Sequence, residues 1–111
     1  MLYEVREYVA VPGRLPALVA RFNDHTFRLF ARYGMEVVDI GLTTIGDNSF
    51  NEIVYTMRFD DLADMERKWA QFTSDPEWVA VFAETEAEGP LIQSMRRRVL
   101  DAGAFSGAPE R

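Results

Sequence analysis

The sequence predicts an α+β fold: a ferredoxin-like βαββαβ unit with a four-stranded antiparallel sheet and helices on one face. Three observations carry this. Apolar spacing alternates between strand and helix periods in the order strand, helix, strand, strand, helix, strand. The middle pair of strands is joined by Gly46-Asp47-Asn48-Ser49, which is turn chemistry. The chain has 111 residues, 48% hydrophobic and 13% aromatic, enough for one domain with its own core.

Residues 2–11 open as a strand rich in Val and Tyr. Tyr3, Val5, Val9 and Val11 form its apolar face, interrupted by Glu7, and this side is expected to meet the helices. Leu2, Glu4, Arg6, Tyr8 and Ala10 form a mixed face. Pro12-Gly13 ends the strand. From residue 14 to 33 the period is helical, with Leu15, Leu18, Val19, Phe22, Thr26, Leu29, Phe30 and Tyr33 on one side and Phe27 on the solvent side. Pro16 sits in the first turn, where its missing N–H costs little. Gly34 stands where a helix end wants positive φ.

Residues 36–44 and 52–59 are the second and third strands. Val38, Ile40 and Leu42 share one side of the second; Ile53, Tyr55, Met57 and Phe59 share one side of the third. Asp60 or Asp61 caps the next helix, with Asp64 in a capping-box role. Leu62, Met65, Trp69 and Phe72 form its stripe. Ser74-Asp75-Pro76-Glu77 restarts a helix, and Trp78, Val79 and Phe82 carry it inward. Gly89-Pro90 breaks it, and residues 91–99 make the last strand. Residues 1–100 are read as the domain and 101–111, rich in Gly, Ala and Pro, as a flexible tail.

Net charge is −6, which argues against nonspecific binding to nucleic acid or anionic membranes. Cysteine is absent, so no disulfide framework or thiolate chemistry is available. With no long apolar run and no signal-peptide pattern, the expected location is the cytoplasm. The mixed sheet face offers Leu2, Tyr8, Ala10, Val37 and Val54 among Glu4, Arg6, Asp39 and Arg58. Covering it with a second copy is the simplest solution, and it makes Arg6, Tyr8, Asp39 and Arg58 candidate homodimer contacts, with an anionic ligand on Arg6, Asp39 and Arg58 as the alternative to a paired or solvent-exposed face.

Several short pieces, in this order and spacing, resemble NIPSNAP domains: Tyr3-Glu4-Val5-Arg6-Glu7-Tyr8, Pro12-Gly13-Arg14-Leu15, Arg32-Tyr33-Gly34-Met35, Ile45-Gly46, Asp61-Leu62-Ala63-Asp64 and Asp75-Pro76-Glu77-Trp78. The resemblance spans about residues 2–99. It implies a dimeric α+β barrel in which two ferredoxin-like sheets face one another. It implies no particular reaction, since families sharing that barrel include cofactor-free monooxygenases, polyketide cyclases and heme-handling enzymes.

His25 is the lone histidine, roughly 60° round the helix from Phe22. A boundary residue bonded to backbone or water is the plain reading; a general base or heme ligand is the chemical one. Tyr55, Met57, Trp69, Trp78 and Phe82 either simply fill the core or line an aromatic cavity between helices and sheet. Alternation splits Arg96-Arg97-Arg98, placing Arg97 opposite its neighbours, so the run reads as edge protection or dimer contact. No glycine-rich phosphate loop, nucleophile elbow or metal-ligand spacing is present, and no cofactor is called for. The leading expectation is a homodimer binding a small apolar or aromatic molecule at His25, Tyr55, Trp69, Trp78 and Phe82. The alternatives are a cofactor-independent monooxygenase or polyketide-cyclase-like enzyme based on His25, and a non-catalytic interaction module.

Overall fold

The structure, a computed structural model, describes residues 1–109. Its elements are β1 (Leu2–Ala10), α1 (Leu15–Arg21), a π-helical turn (Phe22–Thr26), α2 (Phe27–Arg32), β2 (Glu36–Leu42), β3 (Glu52–Phe59), α3 (Leu62–Ser74), α4 (Pro76–Thr85) and β4 (Ile92–Asp101). The sheet order is β2-β3-β1-β4, with antiparallel pairing throughout. This is the predicted ferredoxin-like arrangement. The last strand runs two residues further than its apolar pattern suggested. Residues 102–109 form turns, with Phe105 N–H donating to Ala102 O at 2.9 Å, and the rest of the predicted tail, 110–111, lies outside the described residues.

The local signals act as expected at three helix ends. Gly34 takes φ +67° and closes α2, with Met35 N–H returning to Phe30 O at 2.9 Å. Asp61 caps α3 by accepting from Asp64 N–H at 2.8 Å, while the Asp64 carboxylate accepts from Asp60 N–H at 3.0 Å. Asp75 caps α4 by accepting from the N–H groups of Glu77 and Trp78 at 2.8 and 3.2 Å. The other Asp75 oxygen accepts from the Tyr33 hydroxyl and from Arg32 at 2.9 Å, tying α2 to α4. These donors, the Tyr33 hydroxyl foremost, hold the Asp75 carboxyl down at about 2.

Two expectations are corrected. The first long helix is interrupted: Phe27 N–H bonds to Phe22 O, five residues back, and the Thr26 hydroxyl donates to Arg21 O at 3.3 Å. One extra residue in the turn carries Phe27 round from the predicted solvent side. It is half-buried against Phe22, ring centroids 5.7 Å apart.

The second correction concerns β1, whose two faces are exchanged relative to the reading from hydropathy. Tyr8 pairs across from Ile53, Arg6 from Tyr55 and Glu4 from Met57. Ile53, Tyr55, Met57, Tyr8 and Ala10 all belong to the buried core under the helices. The mixed face, Glu4 and Arg6 included, is therefore the covered one. Tyr3, Val5, Glu7 and Val9 lie on the open side with Val54, Arg58 and Leu100. There Glu7 receives Arg98 at 2.7 Å and Glu36 receives Arg58. In β2 an irregularity between Val37 and Asp39 puts Val37, Ile40 and Leu42 across from Met57, Tyr55 and Ile53.

Candidate functional site

Between the helices and the covered sheet face lies a cavity of about 500 Å³. Its floor is Arg6 and Tyr8 from β1 and Tyr55 from β3; Trp69 and Phe72 of α3 and Trp78 and Phe82 of α4 form one wall. Phe22, Thr26 and Phe30 close the other side. Phe22 and Thr26, four residues apart in the π turn, both face inward. The rings contact one another in series: Phe30 to Phe72 at 4.8 Å, Phe72 to Trp78 at 4.6 Å, and Trp78 to Phe82 at 6.1 Å between centroids. Tilted pairs of this kind fix the shape of the lining as well as bury area.

The polar groups of the lining are few and placed. Tyr8 and Tyr55 share one hydroxyl–hydroxyl hydrogen bond at 2.6 Å. Burial pushes the pKa of Tyr8 up, and of Tyr55 well up, so both phenols are neutral. The Arg6 guanidinium lies over the Trp69 ring at 4.1 Å and 5.7 Å from the Tyr8 ring centre. Burial works against its charge, but the Tyr8 and Tyr55 oxygens and Glu4 outweigh that and keep its pKa raised. Glu4 is wholly buried beneath. Its Oε1 accepts from Trp69 Nε1–H at 2.6 Å. Arg97 Nε stands 2.7 Å from Oε2, off the N–H line, so the contact is ionic and not a hydrogen bond.

At the opposite end Arg21 is buried against the rings of Trp78 and Phe82, 5.4 and 5.3 Å from their centres. It donates to Thr85 at 3.1 Å and to Glu86 at 2.9 Å, joining α1 to the end of α4. Of the predicted ligand-binding residues, Tyr55, Trp69, Trp78 and Phe82 all line the cavity. His25 does not: it is half-exposed, with Nδ1 3.5 Å from Arg28 on the outer surface. Of the residues assigned to a face between copies, Asp39 and Arg58 lie on the open side of the sheet, while Arg6 and Tyr8 are part of the chamber. Arg97, read as edge protection, sits at the chamber rim. Among the described residues no three His, Cys, Asp or Glu side chains converge on a metal site. No helix there is long and apolar enough to cross a membrane.

Sequence reasoning missed Glu4, Arg21 and Arg97 as members of the site, and weighed Arg6 as an anion-binding residue only behind a contact between copies. Arg21 carried a signal: it follows Leu18 at helical spacing and precedes Phe22, on the inward stripe.

A family model described as NIPSNAP matches residues 3–107. A solved structure of protein Atu4242 from Agrobacterium tumefaciens is 27% identical, with TM-score 0.79 over 96% of this chain and 98% of that one. An uncharacterized NIPSNAP-like domain protein from Burkholderia xenovorans is 22% identical, with TM-score 0.83 over 98% and 89% of the two chains. At 11% identity and TM-score 0.60, a Nitrosomonas europaea protein described as a candidate antibiotic biosynthesis monooxygenase shares the fold over 91% of this chain and 97% of its own. No curated protein matches.

Proposed function

The chain belongs to the NIPSNAP family, and from that premise we propose that it binds a small, largely apolar or aromatic molecule in the chamber between sheet and helices. The observation that carries this reading is the aromatic-lined cavity of about 500 Å³, within the size range of small-molecule sites. The two tryptophans of the chain, Trp69 and Trp78, both line it and supply a built-in reporter. Phenylnaphthylamine, a neutral aromatic dye, is expected to bind saturably and to receive energy transfer from tryptophan excitation. Dye emission that rises only in proportion to dye, with no saturation, would remove the proposal. A catalytic reading based on His25 finds no support in its position on the outer surface, and the buried phenols are too weakly acidic to serve as bases near neutral pH. Binding is therefore the function favoured, with the cytoplasm as the expected location.

We also propose that two copies meet through the open sheet face. Its accessible centre carries Val9 and Val54, flanked by the Glu36–Arg58 and Glu7–Arg98 pairs, a self-complementary mixture suited to a twofold contact. Light scattering in dilute solution is expected to give twice the mass of the chain, and Val54→Asp is expected to halve it. A single-chain mass for the unaltered protein would end this reading.

A further inference from the structure

We propose that the molecule held in the chamber is an aromatic or apolar anion whose charged oxygen is received by Arg6 and the Tyr8–Tyr55 pair. The inference rests on the binding reading above and specifies its ligand.

The argument is one of charge and hydrogen-bond balance. Two guanidiniums, Arg6 and Arg97, share one carboxylate, Glu4. The sharing is unequal. Arg97 stands 2.7 Å from Glu4 Oε2, whereas Arg6 Nε is 3.7 Å away, beyond hydrogen-bond reach. Arg97 is half-exposed and its charge is eased by water. Arg6 is not: its side chain is only 13% exposed, and its Nε is buried with no hydrogen-bond partner. Its Nη2 points at the thioether sulfur of Met95 at 3.5 Å, a weak acceptor. Glu66, the acid that lines the cavity itself, is exposed and forms no ion pair among the described residues. The chamber floor thus carries a guanidinium whose nearest carboxylate, 3.7 Å away, is shared with Arg97, so that two positive charges meet one negative charge. Buried charges of this kind are expensive unless paired.

The phenols point the same way. Two hydroxyls joined by a single hydrogen bond hold two hydrogens, so one remains to be given to another acceptor. Arg21, the chamber's other buried guanidinium, is already matched by Glu86 at 2.9 Å. What the site lacks, therefore, is a second acceptor bearing negative charge at the Arg6 end, to balance the guanidinium that Glu4 shares with Arg97. The rings of Trp69, Phe72 and Trp78 meanwhile require an apolar or aromatic body. Carboxylates, phenolates, enolates and sulfonates on an aromatic frame all answer that description.

The test compares two dyes of one frame on the full chain: anilinonaphthalene sulfonate and neutral phenylnaphthylamine, both read by tryptophan energy transfer. The sulfonate is expected to bind about tenfold or more tighter than the neutral dye. Arg6→Met is expected to abolish that preference while keeping neutral-dye binding, which also reports that the variant is folded. Arg98→Gln removes an equal charge on the other sheet face and is expected to leave the preference intact. Equal affinities in the unaltered protein, or a preference that survives Arg6→Met, would overturn the inference and leave the binding reading standing. Saturable binding of neither dye would take down both. If Arg6→Met does not fold, the Nε–H resonance of Arg6 decides in the unaltered protein: it moves with the sulfonate and not with the neutral dye. A resonance indifferent to bound sulfonate overturns the assignment.

Discussion

Phe30→Ala lowers the unfolding free energy by about 3–5 kcal/mol, the range for deleting a buried ring from a core that relaxes only partly. Phe30 is 2% exposed. Its ring stands 4.8 Å from Phe72, 5.7 Å from Trp69 and 6.3 Å from Tyr55, so it joins α2 to α3 and to the sheet at one point. Little collapse is available around it. The π turn fixes the phase of α2 from one side, and the Gly34 cap with the Arg32 and Tyr33 bonds to Asp75 fixes it from the other. The hole merges with the existing cavity, because Phe30 is part of its lining. Two consequences separate in measurement. The urea midpoint falls, while a neutral aromatic dye still binds and recovers part of the lost stability by mass action. A loss below about 1 kcal/mol would show that Phe30 does not hold the layers together.

The sequence carried the arrangement of elements and much of the aromatic wall, yet it concealed the charged floor. Period and punctuation are local properties. Asp61, Asp75 and Gly34 announce helix ends within a few residues, and the hairpin at 46–49 needs no distant partner. Tyr55, Trp69, Trp78 and Phe82 were recognisable because large rings at core spacing face a core in almost any packing. The faces of β1 are different. Three valines and a tyrosine outweigh a leucine, a tyrosine and an alanine set among Glu4 and Arg6 on a hydropathy count, but the choice of face was made by what lies across the sheet and above it. Tyr8 and Ala10 fit against Ile53 and the helices, and Glu4 answers the indole N–H of Trp69, a residue 65 positions away. A buried Trp demands such an acceptor, yet nothing in the spacing says which acid supplies it. The π turn was equally silent: an ordinary helical period already puts Phe22 and Thr26 on one stripe, and nothing local marks the extra residue that brings Phe27 round against Phe22. His25 was attractive as a lone titratable group. Its true place on the outer surface follows from that same turn.

Glu4→Ala is expected to cost about 3–5 kcal/mol, the penalty for breaking a buried ion pair by removing one partner. The substitution takes the acceptor from Trp69 Nε1–H and the counter-charge from two guanidiniums at once. Arg97 can turn to solvent, being half-exposed, whereas Arg6 is held under the Trp69 ring and must remain charged in an apolar floor. Glu4→Gln keeps an oxygen for the indole and should lose less, about 1–3 kcal/mol. Arg97→Gln, at the exposed edge, should lose at most about 1 kcal/mol. The ranking Glu4→Ala, Glu4→Gln, Arg97→Gln, read from urea unfolding, distinguishes a buried anchor from a surface pair. A second reading comes from the dyes. Glu4→Gln raises the positive charge of the floor, so the sulfonate should bind more tightly to it than to the unaltered chain while the neutral dye is unaffected. Stability and anion affinity then move in opposite directions from one substitution, which a purely packing role for Glu4 does not produce. Equal stability across all three variants would mean that the carboxylate is not what holds β1 to α3.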